Sequence, residues 1–222
     1  MSFRRTLPIA ALFGLILVAT APAHASNNPA MDADVNRIDN EWARIKYQVK
    51  DKDAQYRQID ALAQQAAMVS ARYPGRAEPL LWQGIVTSEE AGMASVFSQL
   101  SLAKSARTIL DKAAAIDLKA MNGGVPMSLG VLYYRVPGFP IGFGSADKAR
   151  TFLKTALAID PNGMDANYFY GDFLHSQGDD RGAVTYLQRA LQAPVNPRRP
   201  IWDAGRRADV RAEIAKLQKH TG

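Results

Sequence analysis

One helix-sized stretch of this chain recurs, and its spacing constrains the fold more than any other feature. In Ala146 to Pro161, the residues Ala149, Phe152, Leu153, Ala156 and Leu157 fall three and four apart, which places them on one apolar helix face. Ser145 is placed to cap that helix and Pro161 to end it. Thirty-four residues on, Ala183, Tyr186, Leu187, Ala190 and Leu191 take the same places, and Pro194 follows as Pro161 does. Forty-three residues back, Ala106, Ile109, Leu110, Ala113, Ile116 and Asp117 match Ala149, Phe152, Leu153, Ala156, Ile159 and Asp160. A chain built from copies of one helical unit cannot bury each unit's apolar face alone, so neighbouring units must stack.

Each copy has a first half upstream. Gly171 stands 12 residues before Ala183, and Gln177-Gly178-Asp179 is the turn between two helices. Gly171 and Ala183 let the pair approach to the usual spacing of about 8–10 Å while Leu174 and Leu187 fill the seam. With its period of 34 and with Tyr170, Gly171, Leu174, Ala183, Leu187 and Ala190 in place, this unit resembles a tetratricopeptide repeat. Asn167 sits where that pattern usually has an aromatic residue. The equivalent glycines Gly130 and Gly84 stand 19 and 22 residues before Ala149 and Ala106, so two units carry inserts of about seven and ten residues. Inserts in a solenoid usually map to one working face.

The opening residues read as an export leader. Arg4 and Arg5 precede an apolar run from Leu7 to Val18, and Ala23-His24-Ala25 has the small-x-small form of a cleavage site. The run is short for a membrane span and is broken by Pro8 and Gly14, so residues 1–25 are expected to be a cleaved signal and the protein periplasmic. No membrane span is expected in the mature chain. The chain has no cysteine, which excludes disulfides, thiol chemistry and a lipid-modified N-terminal cysteine. Basic residues gather near the end, at Arg198, Arg199, Arg206, Arg207, Arg211, Lys216 and Lys219, but Asp203, Asp209 and Glu213 alternate with them. That pattern is expected to be a solvated helix face rather than a nucleic-acid site.

After a linker at 26–30, a helical hairpin over 31–76 carries Val35, Ile38, Trp42, Ile45 and Val49 on one helix and Ile59, Leu62, Ala66 and Val69 on the next. It has the place of a degenerate leading repeat. Units follow over 77–120, 121–161 and 162–195, and a capping helix is expected within 196–222, with Ile201, Trp202, Ile214 and Leu217 covering the last repeat. The first insert, Ser88 to Leu100, has no proline and is expected to extend or link helices. The second, Val136-Pro-Gly-Phe-Pro-Ile-Gly-Phe-Gly144, cannot be helical, so Phe139, Ile141 and Phe143 lie on a loop. They either fold back over the neighbouring helices or meet a partner. Gly138, Gly142 and Gly144 lack dinucleotide-loop spacing and are not followed by a phosphate-binding Lys-Ser or Lys-Thr pair.

Gly123-Gly124-x-Pro126, Leu132-Tyr133-x-x-Val136-Pro137 and the glycine-rich loop running into Ala146-Asp147-Lys148-Ala149-Arg150 are similar to the T component of tripartite ATP-independent periplasmic transporters. That resemblance implies a helical periplasmic repeat protein that associates with a substrate-binding subunit and has a pore or cleft for an apolar ligand. Catalytic and metal-binding patterns do not occur: beyond the leader there are only His175 and His220, with no Gly-x-Ser-x-Gly and no His-Glu-x-x-His. Neither a catalytic residue nor a cofactor is expected. Repeat geometry puts Glu78, Leu81, Ile85 and Ser88, then Gly124, Met127, Val131 and Tyr134, then Asp165, Tyr168, Asp172 and His175 on the concave side.

The reading is therefore an all-α tetratricopeptide-like helical-hairpin solenoid, with an N-terminal helical hairpin and a C-terminal capping helix. Its expected role is a non-catalytic periplasmic interaction module for another protein or peptide. The alternative is a binder of an apolar small molecule, as the transporter resemblance implies. The expected binding face is Met127, Val131, Tyr134, Phe139, Ile141, Phe143, Asp165, Tyr168, Asp172 and His175.

Overall fold

The computed structural model describes residues 28–221. The expected leader lies outside them. Nine helices make up the described chain: α1 (Pro29–Gln48), α2 (Lys52–Arg72), α3 (Ala77–Met93), α4 (Val96–Ile116), α5 (Ala120–Arg135), α6 (Ala146–Ile159), α7 (Met164–Ser176), α8 (Asp180–Gln192) and α9 (Pro200–Thr221). Consecutive helices pair as antiparallel hairpins, α3 with α4, α5 with α6 and α7 with α8, and each hairpin packs on the next to form a solenoid. Side-chain oxygens start four of the helices: Asn28, Asp51, Ser145 and Asp179 accept from the backbone N–H three residues on.

The repeated seam has one recurring contact. A Cβ on Gly84, Gly130 or Gly171 would stand 2.6, 2.6 and 3.0 Å from Leu110, Leu153 and Leu187 respectively. Those three leucines are fully buried. Each glycine thus leaves the hollow that the next helix fills with a leucine, which is why the same residue pair recurs despite inserts of different length. The first insert lengthens both of its helices, leaving only Ala94 and Ser95 between α3 and α4.

Two features depart from the sequence reading. Met121, Asn122 and Gly123 have φ of 50°, 56° and 80°, so a left-handed turn precedes the regular part of α5. Asn122 and Gly123 tolerate that region and Met121 does so at a cost. The larger departure is at the C-terminus. Helix α9 caps α8, burying Trp202, Val210 and Leu217, and also reaches back to α1, so the first and last elements of the solenoid touch. A Cβ on Gly205 would collide with the Tyr47 ring, so the α9 backbone lies directly against that side chain. Tyr47 also donates to Asp209 at 3.0 Å. Arg199 pairs with buried Asp39 at 2.6 Å and stands 4.1 Å from the Trp202 ring and 5.8 Å from that of Trp82.

The expectation that Arg206 and Arg207 form a solvated face is wrong. Arg206 is 3% exposed and donates to Asp165 at 2.7 Å and Asp209 at 3.3 Å. Arg207 pairs with Asp203 and donates to the Leu191 and Ala193 carbonyls at the end of α8. The alternating charges reflect internal pairing as well as solvation.

Among the described residues no helix is long and apolar enough to cross a membrane, and no cluster of side chains could hold a metal ion. Apolar burial and these ion pairs carry the fold. Thermal unfolding is expected to be cooperative and to occur at the same temperature with or without chelator and reductant; a chelator-induced shift of several degrees would contradict this.

Candidate functional site: a cleft with an apolar rim

The inner faces of the first helices of each hairpin, closed by α9, enclose an open cleft of about 940 Å³. Leu81, Trp82 and Ile85 of α3 and Met127 and Val131 of α5 form its apolar side, joined by Trp42 of α1. Asp165 and Tyr168 of α7 and Arg206, Asp209 and Glu213 of α9 are its polar lining, with the Phe169 ring beside them. Lys46, paired with Glu89 at 2.6 Å, stands at the edge. The α3, α5 and α7 side chains of the cleft follow from repeat geometry, because every inward position of a first helix faces the same axis, whereas the α9 side chains are brought in by the closure.

The polar side is internally satisfied. Burial disfavours the Arg206 cation, but Asp165, Tyr47, Tyr168 and Asp209 together more than offset this, so the Arg206 pKa is raised. The guanidinium also stands 4.5 Å from the Tyr168 ring and 4.9 Å from that of Phe169. Burial pushes the Tyr47 hydroxyl well above its ordinary range, so it remains a hydrogen-bond donor.

The ten residues expected to form a binding face separate into groups. Met127, Val131, Asp165 and Tyr168 line the cleft, and Ile141 stands at its mouth. Tyr134, Asp172 and His175 do not line it and are held by internal bonds. Tyr134 and Arg135 both donate to Asp172, while His175 Nδ1 is 2.6 Å from Asp180 and its Nε2 is 3.7 Å from Glu213.

Phe143 folds back rather than facing a partner. It meets the Tyr133 ring edge-on at 5.7 Å, with the Arg107 guanidinium 4.3 Å from its own ring. Phe139 is 94% exposed and lies outside the cleft. The sequence reading missed Trp42, Trp82, Phe169 and the α9 residues. Gly205, a glycine inside a helical pattern, was the available sign of close approach by another element.

The two inserts meet at the cleft mouth. The loop from Val136 closes on itself through Gly144 N–H donating to Pro137 at 2.9 Å and Gly142 N–H donating to Gly138 at 3.1 Å. A Cβ on Gly144 would collide with the Val136 carbonyl, so a larger residue there would open the loop. Gly142 sits against Leu100 of the first insert, and Val96, Leu100, Val136 and Ile141 together form the rim. Replacing Phe143 with Ser is expected to lower Tm by roughly 5 °C through lost burial, whereas Phe139→Ser should leave it within about 1 °C. Equal shifts in thermal melts would contradict this division of the loop.

The class this geometry defines is a helical-hairpin solenoid with a concave cleft. Residues 141–204 match the tetratricopeptide repeat family model. A crystal structure of a thermophilic tetratricopeptide repeat protein from Thermus thermophilus is similar, with a TM-score of 0.57 and 16% identity over 86% of this chain and 92% of that one. No curated protein matches in sequence. The chain thus has the tetratricopeptide fold.

Proposed function

We propose that the protein is an exported, periplasmic, non-catalytic interaction module whose cleft takes an extended amphipathic segment of another periplasmic protein. The observation that supports this is a cleft lined both by apolar side chains, Ile85, Met127 and Val131, and by polar ones, Asp165, Arg206, Asp209 and Glu213. Alternate side chains of an extended peptide project to opposite sides, so one such segment can meet both walls at once. The leader-like opening agrees with export.

A second reading keeps the same cleft but fills it with an apolar small molecule, as in an accessory subunit resembling the transporter T component. The cleft volume of about 940 Å³ favours it, since small-molecule pockets span roughly 300–1,000 Å³. Native mass spectrometry of the protein purified from the periplasm separates the two: a co-purifying protein or peptide supports the first and a retained lipid-like mass the second. Met127→Asp and Val131→Asp should each release the bound species by placing an unpaired charge on the apolar wall. Retention of the species by both variants would remove the cleft from the account.

A further inference from the structure

We propose that the rim formed by the two inserts is a membrane-touching surface, with Phe97 and Phe139 entering the interfacial region of a lipid bilayer. The inference does not depend on what the cleft binds. Phe97 is 93% exposed and Phe139 94%, and neither lines the cleft; Val96 at 75% and Ile141 at 69% lie beside them in sequence. The inserts adjoin in space where Leu100 comes against Gly142. Apolar side chains this exposed gain nothing from the fold itself, and their clustering on two segments that meet points to an external apolar phase.

Charge and area favour lipid over a protein partner. Charged residues make up 22% of the chain, yet Ala91 to Ala103 and Val136 to Ala146 contain none. A surface entering the acyl boundary must be free of charge, while cationic groups just behind it can reach phosphates. The flanking charges are the cations Lys104, Arg135 and Lys148 and the acids Glu90 and Asp147; Arg135 is paired with Asp172, which leaves exposed Lys104 and Lys148 as the cations beside the uncharged segments. Two phenylalanines present about 300–500 Å² between them, and Val96 and Ile141 still leave the rim short of the roughly 800 Å² that each partner gives to a stable protein interface. Phe97 and Phe139 also project rather than form a pocket for another chain's anchor. A bilayer needs no complementary pocket.

The test is co-sedimentation of the exported protein with vesicles of phosphatidylethanolamine and phosphatidylglycerol, alongside Phe97→Ser, Phe139→Ser and the double variant. Partitioning is expected to fall roughly five- to tenfold for each single variant and further for the double, with unchanged Tm because both side chains lie outside the core. Lys112→Ser, on the same helix but away from the rim, should partition like the parent. Absence of vesicle binding by the parent, or binding that the double variant retains, overturns the proposal. So does concentration-dependent self-association, measured by light scattering without lipid, that the same substitutions abolish, since the rim would then be covered by a second copy.

Discussion

Ending the chain after Pro200 is expected to destabilise the fold severely. Helix α9 buries Trp202, Val210 and Leu217 against the remainder. At about 1.5–3 kcal/mol for each buried side chain, their loss removes on the order of 6 kcal/mol, comparable to the whole stability of a domain this size. Truncation also removes Arg206 from Asp165 and uncouples α9 from α1, leaving a carboxylate in the cleft wall without its cation. The truncated chain should melt on the order of 15 °C lower or aggregate when expressed, as followed by circular dichroism and light scattering. A truncated protein that remains monomeric and melts at the parental temperature would show that closure contributes nothing.

Arg206→Met tests the same closure at one side chain. Arg206 is buried and bridges α7 and α9 through Asp165. Removing one member of a buried pair costs about 3–5 kcal/mol, chiefly because the remaining charge is left unpaired. The expected fall in Tm is on the order of 10 °C. Arg206→Met combined with Asp165→Leu should recover much of it, since no unpaired charge then remains. Arg198→Ala, at an exposed position, should leave Tm within about 1 °C. A shift for Arg206→Met no larger than that control would place the side chain in solvent and remove the latch.

What could be read from the sequence depended on distance along the chain. Ala149, Leu153 and Ala156 recur at helical spacing, and Gly171 and Leu187 belong to adjacent helices of one hairpin, so local periodicity carries the repeat and its packing. The cleft residues Met127 and Val131 follow from that register. Closure does not, because Tyr47 and Asp209 are 162 positions apart, and nothing periodic ties them together. Arg206 has the residue type of a surface cation, and only its Asp165 partner on another helix explains its burial. The loop was legible as non-helical from its prolines and glycines. Which of its aromatics turns inward was set by Tyr133 and Arg107, on two different helices.

The most direct test of the cleft as the binding surface is site-specific photo-crosslinking in cells. A benzophenone side chain replaces Met127 on the cleft wall in one sample and exposed Lys154 on α6 in another. Mass spectrometry then identifies the crosslinked chain and segment. The account predicts adducts at position 127 that map to one contiguous segment of one protein, are lost when Val131 is also changed to Asp, and are absent at position 154. Adducts of equal yield at both positions, or adducts at 127 that Val131→Asp leaves unchanged, would contradict it.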